Sequence, residues 1–247
     1  MIISAEKRPV RLNKFLALCG LGSRRKVEDF ILTGRVKINN RIVKNLAQTV
    51  LIDQDVVEFD NLKLKPPDNF AYLMLNKPKG YITTLKDEKD RPIVMNLLPE
   101  RYKKLGLNPV GRLDKDTEGL LLFTNDGDLA QHLMKPRFKI AKEYLLELDK
   151  PLSSIDQKRL EKGIYLHQLK LKTRPAIIKN LNETKTLIKM TIYEGKKRQI
   201  RYSFFNLNYK IKKLKRVTFG PLQLTGVNRG SYRSLKPNEI RALKKIT

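Results

Sequence analysis

Residues 111–123 read Gly111-Arg112-Leu113-Asp114-Lys115-Asp116-Thr117-Glu118-Gly119-Leu120-Leu121-Leu122-Phe123. This segment places a carboxylate, Asp114, beside an arginine between two glycines, and it then runs into four consecutive apolar residues. The turn residues Asn125-Asp126-Gly127 follow, so the apolar run is typical of a short buried strand. We therefore expect an acid held at the start of a buried strand. Taken alone, Arg112 and Asp114 are also compatible with an ordinary ion pair on a surface loop.

The chain has 247 residues with 40% apolar content, which allows one large domain or two smaller ones with a core of their own. Lys and Arg number 52 against 25 Asp and Glu, which gives a net charge of +27. Such an excess indicates a polyanionic partner, and nucleic acid is the commonest one. An anionic membrane surface is the second candidate, but no segment reads as an isolated amphipathic basic helix.

Composition also bears on localisation and on metal binding. No run of about 18 apolar residues occurs, and residues 1–10 carry charge where a signal peptide needs apolar residues. The single cysteine, Cys19, fits a reducing compartment, and we expect a cytoplasmic protein without a membrane segment. His132 and His167 are far apart, so we expect no metal site. Motifs for nucleotide cofactors are missing from the sequence, and we expect no cofactor.

The first 60 residues predict a small helical and hairpin unit. Leu12, Phe15 and Leu16 recur at helical spacing, and Ser23 is a favourable N-cap for a second helix over 24–32. Two short strands follow, joined at Asn39-Asn40, and asparagine tolerates the left-handed conformation that such a turn needs.

Basic and acidic residues are segregated along this unit. Eleven basic and three acidic residues lie in the segment from Glu6 to Lys44. The cluster Arg24-Arg25-Lys26 at a helix N-terminus opposes the helix dipole, which favours a role in phosphate contact over a solvated helix face. The order Arg11-Leu12-Asn13-Lys14-Phe15-Leu16, Ser23-Arg24-Arg25 and Gly34-Arg35-Val36-Lys37-Ile38-Asn39 resembles the S4 RNA-binding domain. The resemblance implies an RNA-binding surface that comprises Arg11, Lys14, Ser23, Arg24, Arg25, Lys26, Arg35 and Lys37.

A proline-broken polar stretch separates this unit from the rest of the chain. We predict an S4-like domain over 1–62, a linker over 63–69 and a larger domain over 70–247. Beyond the linker, strands are expected at 72–75 and 81–84 around a turn that presents Lys77, and Asp128 is expected to begin a short helix. Longer strands with interspersed short helices predict an α+β domain with a mixed or antiparallel central sheet and peripheral helices.

Four motifs of the larger domain occur in an order that resembles the RsuA/RluB type of ribosomal RNA pseudouridine synthases, closest to the branch that acts on the large subunit. They are Lys77-Pro78-Lys79-Gly80, Gly111-Arg112-Leu113-Asp114 with Thr117, Lys142-Glu143-Tyr144, and Gly195 with Arg198-Gln199-Ile200-Arg201. The resemblance to this family and to the S4 domain covers nearly the whole chain. It implies a cofactor-free enzyme that isomerises uridine to pseudouridine, most simply as a monomer, in ribosomal RNA or a pre-ribosomal particle.

The resemblance also implies roles for individual residues. Asp114 corresponds to the catalytic nucleophile, which attacks either the base or the sugar. Tyr144 corresponds to the tyrosine that stacks on the base, and Arg201 to the basic residue whose charge keeps the buried acid ionised. Substrate contacts are implied for Arg112, Ile200, Lys77 and Arg198.

Simpler interpretations remain open at this point. A tyrosine on a strand and an isoleucine in a helix also occur as plain core residues, which applies to Tyr144 and Ile200. An enzyme for small-subunit 16S ribosomal RNA is a near alternative to one for large-subunit 23S ribosomal RNA. A non-catalytic RNA-binding or ribosome-assembly factor, in which Asp114 is structural, is an alternative from a different class.

Overall fold

A computed structural model describes residues 9–67 and 70–246. The chain divides into two compact units, Met1–Phe70 with Glu100–Leu107, and Ala71–Pro99 with Asn108–Thr247. The charged start of the chain and two residues of the predicted linker, Asp68 and Asn69, lie outside the described residues.

The first unit combines short helices with two small sheets. Its elements are β1 (Val10–Arg11), α1 (Leu12–Leu18), α2 (Arg24–Leu32), β2 (Val36–Ile38), β3 (Arg41–Ile42), β4 (Thr49–Val50), β5 (Val57–Phe59), β6 (Leu62–Lys63) and α3 (Glu100–Lys104). One sheet has the strand order β3-β2-β5-β6, and the other pairs β1 with β4.

Local sequence signals account for this arrangement. Leu12, Phe15 and Leu16 are buried on the inner face of α1, as their spacing predicted. The hydroxyl of Ser23 accepts the backbone N–H of Lys26 at 3.2 Å, which confirms the predicted N-cap of α2. Asn39 and Asn40 have φ values of 49° and 65°, so both adopt the left-handed conformation expected of the hairpin turn.

The second unit is built on a nine-stranded sheet. Its elements are β7 (Tyr72–Lys77), β8 (Asn108–Pro109), β9 (Glu118–Thr124), α4 (Gly127–Met134), β10 (Lys142–Leu148), α5 (Ser154–Lys162), β11 (Tyr165–Leu166), β12 (Leu171–Lys172), β13 (Ile177–Asn180), β14 (Leu187–Ile192), α6 (Gln199–Phe205), β15 (Ile211–Phe219), β16 (Leu222–Gln223), β17 (Tyr232–Ser234) and α7 (Pro237–Lys245). Short 3₁₀ turns lie at Val94–Leu97, Pro136–Phe138 and His167–Leu169.

The main path of this sheet is β13-β14-β10-β15-β9-β7-β17, with β16 paired to β15 and β8 paired to β9. The pairing of β15 with β9 is parallel, and the neighbouring pairings are antiparallel. This mixed sheet, with helices packed around it, confirms the predicted α+β class. Strand β9 lies near its centre, and its apolar run at 120–123 is fully buried.

Three local predictions differ from the structure. Strand β7 continues through Lys77, where a turn was expected, and 81–84 forms only an isolated bridge between Ile82 and Ile93 instead of a strand. The cap of α4 is Asp126, whose carboxylate accepts the N–H of Leu129 at 3.0 Å, and Asp128 lies in the first turn. Both aspartates fit the start of a helix, so sequence alone does not distinguish them.

Gly119 allows β9 and β15 to approach each other closely. It has a φ of 103°, and a Cβ atom at this position would lie 2.1 Å from the carbonyl oxygen of Arg216. A side chain at position 119 would therefore push apart the two strands that meet beneath the segment containing Asp114.

Candidate active site

Asp114 lies on a short loop, 111–117, that leads into β9. The backbone N–H of Thr117 donates to the carbonyl of Asp114 at 3.0 Å, which closes a tight turn around the acid. The hydroxyl of Thr83 donates to the carbonyl of Leu113 at 2.8 Å and accepts its N–H at 3.3 Å. These bonds fix the backbone on both sides of Asp114, while its side chain remains partly exposed.

Lys77 is fully buried beneath this loop and does not line the cleft described below. Its ammonium group donates to backbone carbonyls of the turn and the loop, at 3.1 Å from Pro78, 3.1 Å from Asp114, 3.3 Å from Lys115 and 2.8 Å from Thr117. Burial lowers the pKa of Lys77 to about 8, while the nearby carboxylates oppose the shift. The substrate contact predicted for Lys77 gains no support from this position, because its donors are already used in holding the loop.

The remaining predicted substrate and catalytic residues line one cleft of about 720 Å³ in the second unit. They are Arg112, Asp114, Tyr144, Arg198, Ile200 and Arg201. They come from the loop before β9, from β10 and from the start of α6, which are distant in sequence. A volume of this size suits a nucleotide or a similar small ligand.

Tyr144 and Ile200 form buried parts of the cleft wall. Tyr144 is 7% exposed on β10, and Ile200 is 5% exposed in the first turn of α6. Both also face an open volume, so each can pack against a flat ligand without a large rearrangement. Their burial alone is equally compatible with plain core packing.

Arg201 is held by the backbone of the same loop as Asp114. Its guanidinium donates to the carbonyl of Asp116 at 2.8 Å. Burial lowers the pKa of Arg201, Arg198 acts in the same direction, and Asp116 and Asp114 oppose the change. Within the described residues Arg201 makes no direct ion pair with Asp114, so their interaction here acts through space and not through a hydrogen bond.

The segment that leads into α6 is fixed by a buried pair of side chains. The carboxylate of Glu194 accepts the side-chain amide of Gln199 at 2.8 Å and the backbone N–H of Arg174 at 2.8 Å. Gln199 in turn accepts the N–H of Lys196 at 3.1 Å. Arg198 adopts a left-handed conformation with φ of 51°, which turns the chain into the helix that carries Ile200.

Lys142 and Arg216 are cations of the cleft that were not assigned a role from the sequence. Lys142 lines the cleft, and burial lowers its pKa to about 8, an effect that Arg216 reinforces and Glu194 opposes. Arg216 also lines the cleft and is 2% exposed. The sequence signal for the position of Arg216 was the alternation of side chains along β15. Arg216 lies two residues after the buried Leu214, so both side chains lie on the same face of the sheet.

The cleft as a whole is strongly basic. Two carboxylates, Asp114 and Glu194, line it. The cations that line it are Arg112, Lys135, Lys142, Lys196, Lys197, Arg198, Arg201 and Arg216. A cleft of this composition attracts an anionic ligand and offers a single partly exposed carboxylate to it, because Glu194 is occupied with Gln199 and Arg174.

The predicted RNA-binding residues of the first unit fall into two groups. Arg25 and Lys26 are exposed in the first turn of α2, Ser23 is exposed beside them, and Lys14 is half-buried on α1. The second group consists of four side chains that make polar contacts within the unit. Arg11 donates to the carbonyl of Ala47, Arg24 to the side chain of Asn13, and Lys37 to the side chain of Asn61, and Arg35 forms an ion pair with Asp60.

Arg35 is the most constrained residue of the second group. Its guanidinium lies 4.8 Å from the ring centroid of Phe30 and 4.5 Å from that of Phe59, in addition to its ion pair with Asp60. These contacts partly neutralise its charge and hold its side chain within the unit.

Among residues 9–67 and 70–246, no group of three or more His, Cys, Asp or Glu side chains is arranged to hold a metal ion. No helix in those ranges is both long and apolar enough to cross a bilayer.

Comparison with known proteins agrees with this geometry. Residues 71–205 match the RNA pseudouridylate synthase family, and residues 10–57 match the S4 domain. A protein of Aquifex aeolicus (strain VF5) named as an uncharacterized RNA pseudouridine synthase is 38% identical, over 96% of this chain and 94% of its own. The ribosomal large subunit pseudouridine synthase B of Bacillus subtilis (strain 168) is 36% identical, over 96% of each chain.

A solved structure leads to the same family. A crystal structure described as a pseudouridylate synthase superposes with a TM-score of 0.69 at 31% identity, and the match covers 95% of this chain and 99% of that one. Full-length similarity to several such proteins, together with the family match over the unit that contains the cleft, leads to one conclusion. The chain belongs to the RNA pseudouridylate synthase family and carries an S4 domain in front of its synthase domain.

Proposed function

We propose that this protein converts one uridine of large-subunit ribosomal RNA to pseudouridine, with Asp114 as the nucleophile. The observation that carries the proposal is the position of Asp114. It is a partly exposed carboxylate on a fixed loop, in a basic cleft that also contains Tyr144 and Arg201. A carboxylate can attack a uridine without a cofactor, and a basic cleft suits a polyanionic substrate.

The chemistry needs the target uridine outside its base stack. A cleft of about 720 Å³ has room for a nucleotide that has turned out of the RNA. In the overall reaction the C1′–N1 bond breaks, a C1′–C5 bond forms, C5 releases a proton and N1 gains one. The reaction is an isomerisation and requires no oxidant or reductant.

We assign distinct roles to the groups around Asp114. Tyr144 and Ile200 pack against the flipped base, and the positive charge of Arg201 interacts through space with the carboxylate of Asp114. Arg112 and Arg198, at the edge of the cleft, hold the flanking RNA. Lys77 keeps the loop in place from below and makes no contact with the substrate.

Capture of the RNA is assigned mainly to exposed cations. We propose that the S4-like domain, 1–62, contributes Arg25 and Lys26, which are exposed at the start of α2, and that the domain over 70–247 contributes the rim of the cleft. Lys14 is only half-exposed, and Arg11, Arg24, Arg35 and Lys37 are weaker candidates, because each of these four is held by a side-chain contact within its unit. Binding of this kind weakens steeply as salt rises.

The large subunit is the preferred target because one relative, at 36% identity over the full chain, is named for that subunit. A small-subunit target is the near alternative. The reaction needs neither a second copy of the chain nor a membrane, so we propose a monomer that acts in the cytoplasm, where it meets ribosomal RNA or a pre-ribosomal particle. Light scattering of the purified protein tests the monomer.

A pseudouridine map of ribosomal RNA tests the function. The map compares cells that lack the gene with cells complemented by the wild type, by Asp114→Asn or by Asp116→Asn. Asp116 is a matched control, because it lies on the same loop, is exposed, does not line the cleft and is hydrogen-bonded to Arg201 through its carbonyl and not its carboxylate. We expect one site in large-subunit RNA to vanish, and to return with the wild type and Asp116→Asn but not with Asp114→Asn.

Other outcomes would redirect the proposal. A lost site in 16S RNA would move the target to the small subunit. If no site changes, and Asp114→Asn restores growth or ribosome assembly as well as the wild type does, the protein acts as a non-catalytic RNA-binding or assembly factor.

A further inference from the structure

Buried polar atoms without a hydrogen-bond partner are concentrated in the cleft. Four such side-chain atoms occur among the described residues, on Thr117, His132, Arg201 and Arg216. Three of these residues, Thr117, Arg201 and Arg216, line the cleft. Leaving a buried donor unpaired is costly, so these groups are expected to find a partner in the bound ligand.

Arg216 is the one of the three whose position the proposed function does not yet explain. It is 2% exposed, its Nε donates to the carbonyl of Leu120 at 2.8 Å, and its Nη2 is the unpartnered atom. Its guanidinium also lies 5.0 Å from the ring centroid of Phe219. The Nε side of the group is thus fixed by protein contacts, while the Nη2 amino group has no hydrogen-bond partner among the described residues.

The sheet register places Arg216 beside the proposed base-stacking residue. Arg216 on β15 is the direct cross-strand partner of Tyr144 on β10, so both side chains lie on the same face of the sheet. On its other side Arg216 pairs with Gly119, which has no side chain to cover it. A base that packs on Tyr144 therefore brings its ring edge toward Arg216.

We propose that the free Nη2 of Arg216 donates a hydrogen bond to a ring carbonyl oxygen of the target uracil and stabilises the negative charge that develops there. This inference rests on the proposed function and extends it to a second group that contacts the substrate. Attack on C1′ leaves the electron pair of the broken C1′–N1 bond on the ring, where it is shared with O2 and O4. Attack on C6 instead moves the electron pair of the C5–C6 double bond toward O4.

Both routes therefore place negative charge on O4, and a fixed cationic donor in a buried site stabilises such charge strongly. The guanidinium of Arg216 is a planar, delocalised cation with several N–H donors, which suits hydrogen bonding to a carbonyl oxygen. Nothing needs to reorient during the reaction, because Leu120 and Phe219 already hold the guanidinium.

The test uses the full-length protein and an RNA fragment that contains the mapped site. Single-turnover rates at saturating enzyme are measured for the wild type, Arg216→Gln and Arg216→Lys, together with RNA affinity and thermal stability. We expect Arg216→Gln to slow isomerisation about 100-fold, with RNA affinity changed by less than about twofold. Arg216→Lys should retain part of the rate, since it keeps a charge but has a shorter reach.

Sulfur substitution in the RNA separates substrate contact from a structural role. Fragments with 2-thiouridine or 4-thiouridine at the target position are compared with uridine, because sulfur is a weak hydrogen-bond acceptor. At the contacted position, the effect of sulfur on rate should differ at least about fivefold between the wild type and Arg216→Gln. Coupling at O4 agrees with both routes of attack, and coupling at O2 agrees only with attack on C1′.

Three results would overturn the inference. The first is an equal effect of sulfur in the wild type and the variant at both positions. The second is weaker RNA binding with an altered salt dependence and an unchanged rate, which would assign Nη2 to a backbone phosphate. The third is an unchanged rate in Arg216→Gln.

If Arg216→Gln does not fold, the same comparison is made with Arg216→Lys. If the wild type itself forms no pseudouridine, the proposed function fails, and the inference fails with it.

Discussion

The cations of the cleft and those at the start of α2 differ in their surroundings more than in their number. In the cleft, Arg216 is 2% exposed, and burial lowers the pKa of Lys142 to about 8. At the start of α2, Arg25 and Lys26 are exposed, within a different unit of the chain. The sequence has basic clusters in both places, and only the structure separates them into buried and solvated groups.

This difference indicates a division of labour. A charge in a buried site interacts strongly over a few ångströms, so it can affect the chemistry of a bound nucleotide. An exposed charge is screened by salt and contributes mainly to capture of the RNA. Substitutions in the two regions should therefore change different measured quantities.

The largest effect is expected at Asp114. Asp114→Asn keeps the size of the side chain but removes the nucleophile, so we expect the single-turnover rate on ribosomal RNA fragments to fall on the order of 10⁴-fold or more. Asp116→Asn, on the same loop, should stay within about threefold of the wild type. Equal losses in both variants would mean that the loop, and not Asp114 itself, is what the reaction needs.

Substitution of Lys77 tests how strongly the reaction depends on the hydrogen bonds that hold the loop containing Asp114. Lys77→Met leaves several buried carbonyls without their donor, so we expect about 3 kcal/mol lower stability and a roughly 100-fold slower reaction. Lys79→Met is the matched control, because Lys79 is exposed two residues further along. Denaturant unfolding and single-turnover rates provide the two readouts. A Lys77→Met protein as stable as the control would contradict the supporting role.

Burial of Lys142 makes the free energy of unfolding depend on pH. The ammonium group of Lys142 has a pKa of 10.5 in the unfolded chain, whereas burial lowers its pKa to about 8 in the folded protein. Between these values the unfolded state binds more protons, so the free energy of unfolding rises with pH. Lys142→Met removes this contribution, and its free energy of unfolding should rise by about 1 kcal/mol less than that of the wild type between pH 8 and 10. Lys158→Met, on the exposed face of α5, serves as the comparison, and indistinguishable slopes in the wild type and Lys142→Met would refute the assignment.

The exposed cations should act on affinity alone. Replacing both Arg25 and Lys26 by Ala should weaken RNA binding about tenfold at moderate salt and reduce the salt dependence by about two phosphate contacts. The rate at saturating enzyme should not change. Arg35→Ala is the informative contrast, since its ion pair and ring contacts predict a larger loss of stability than of affinity. The reverse result for Arg35 would place it on the RNA-binding surface.

Much of the fold could be predicted because its signals are local. The helical spacing at 12–16, the cap at Ser23, the paired asparagines and the apolar run after Gly119 each define a short element by themselves. The site was harder to predict, because its parts come from distant elements. Family motifs indicated Asp114, Tyr144 and Arg201, and the structure brings them to one cleft.

What sequence could not provide was the direction of a basic side chain. Lys77 sits in a motif that suggests contact with substrate, yet the sheet buries it beneath the loop. Arg216 lies among lysines and arginines, a composition typical of exposed surface. The alternation of side chains along β15 nevertheless places Arg216 on the buried face of the sheet. In both cases the deciding fact is which face of a strand the residue occupies, and composition does not reveal that.

A single titration tests the division of labour most directly. Single-turnover rates on one ribosomal RNA fragment are measured against enzyme concentration for the wild type, Asp114→Asn and the Arg25→Ala, Lys26→Ala double variant. We predict that Asp114→Asn abolishes the maximal rate without changing RNA affinity. We predict that the double variant weakens affinity without changing the maximal rate. A lower maximal rate in the double variant, or a loss of affinity in Asp114→Asn as large as the loss in the double variant, would contradict the account.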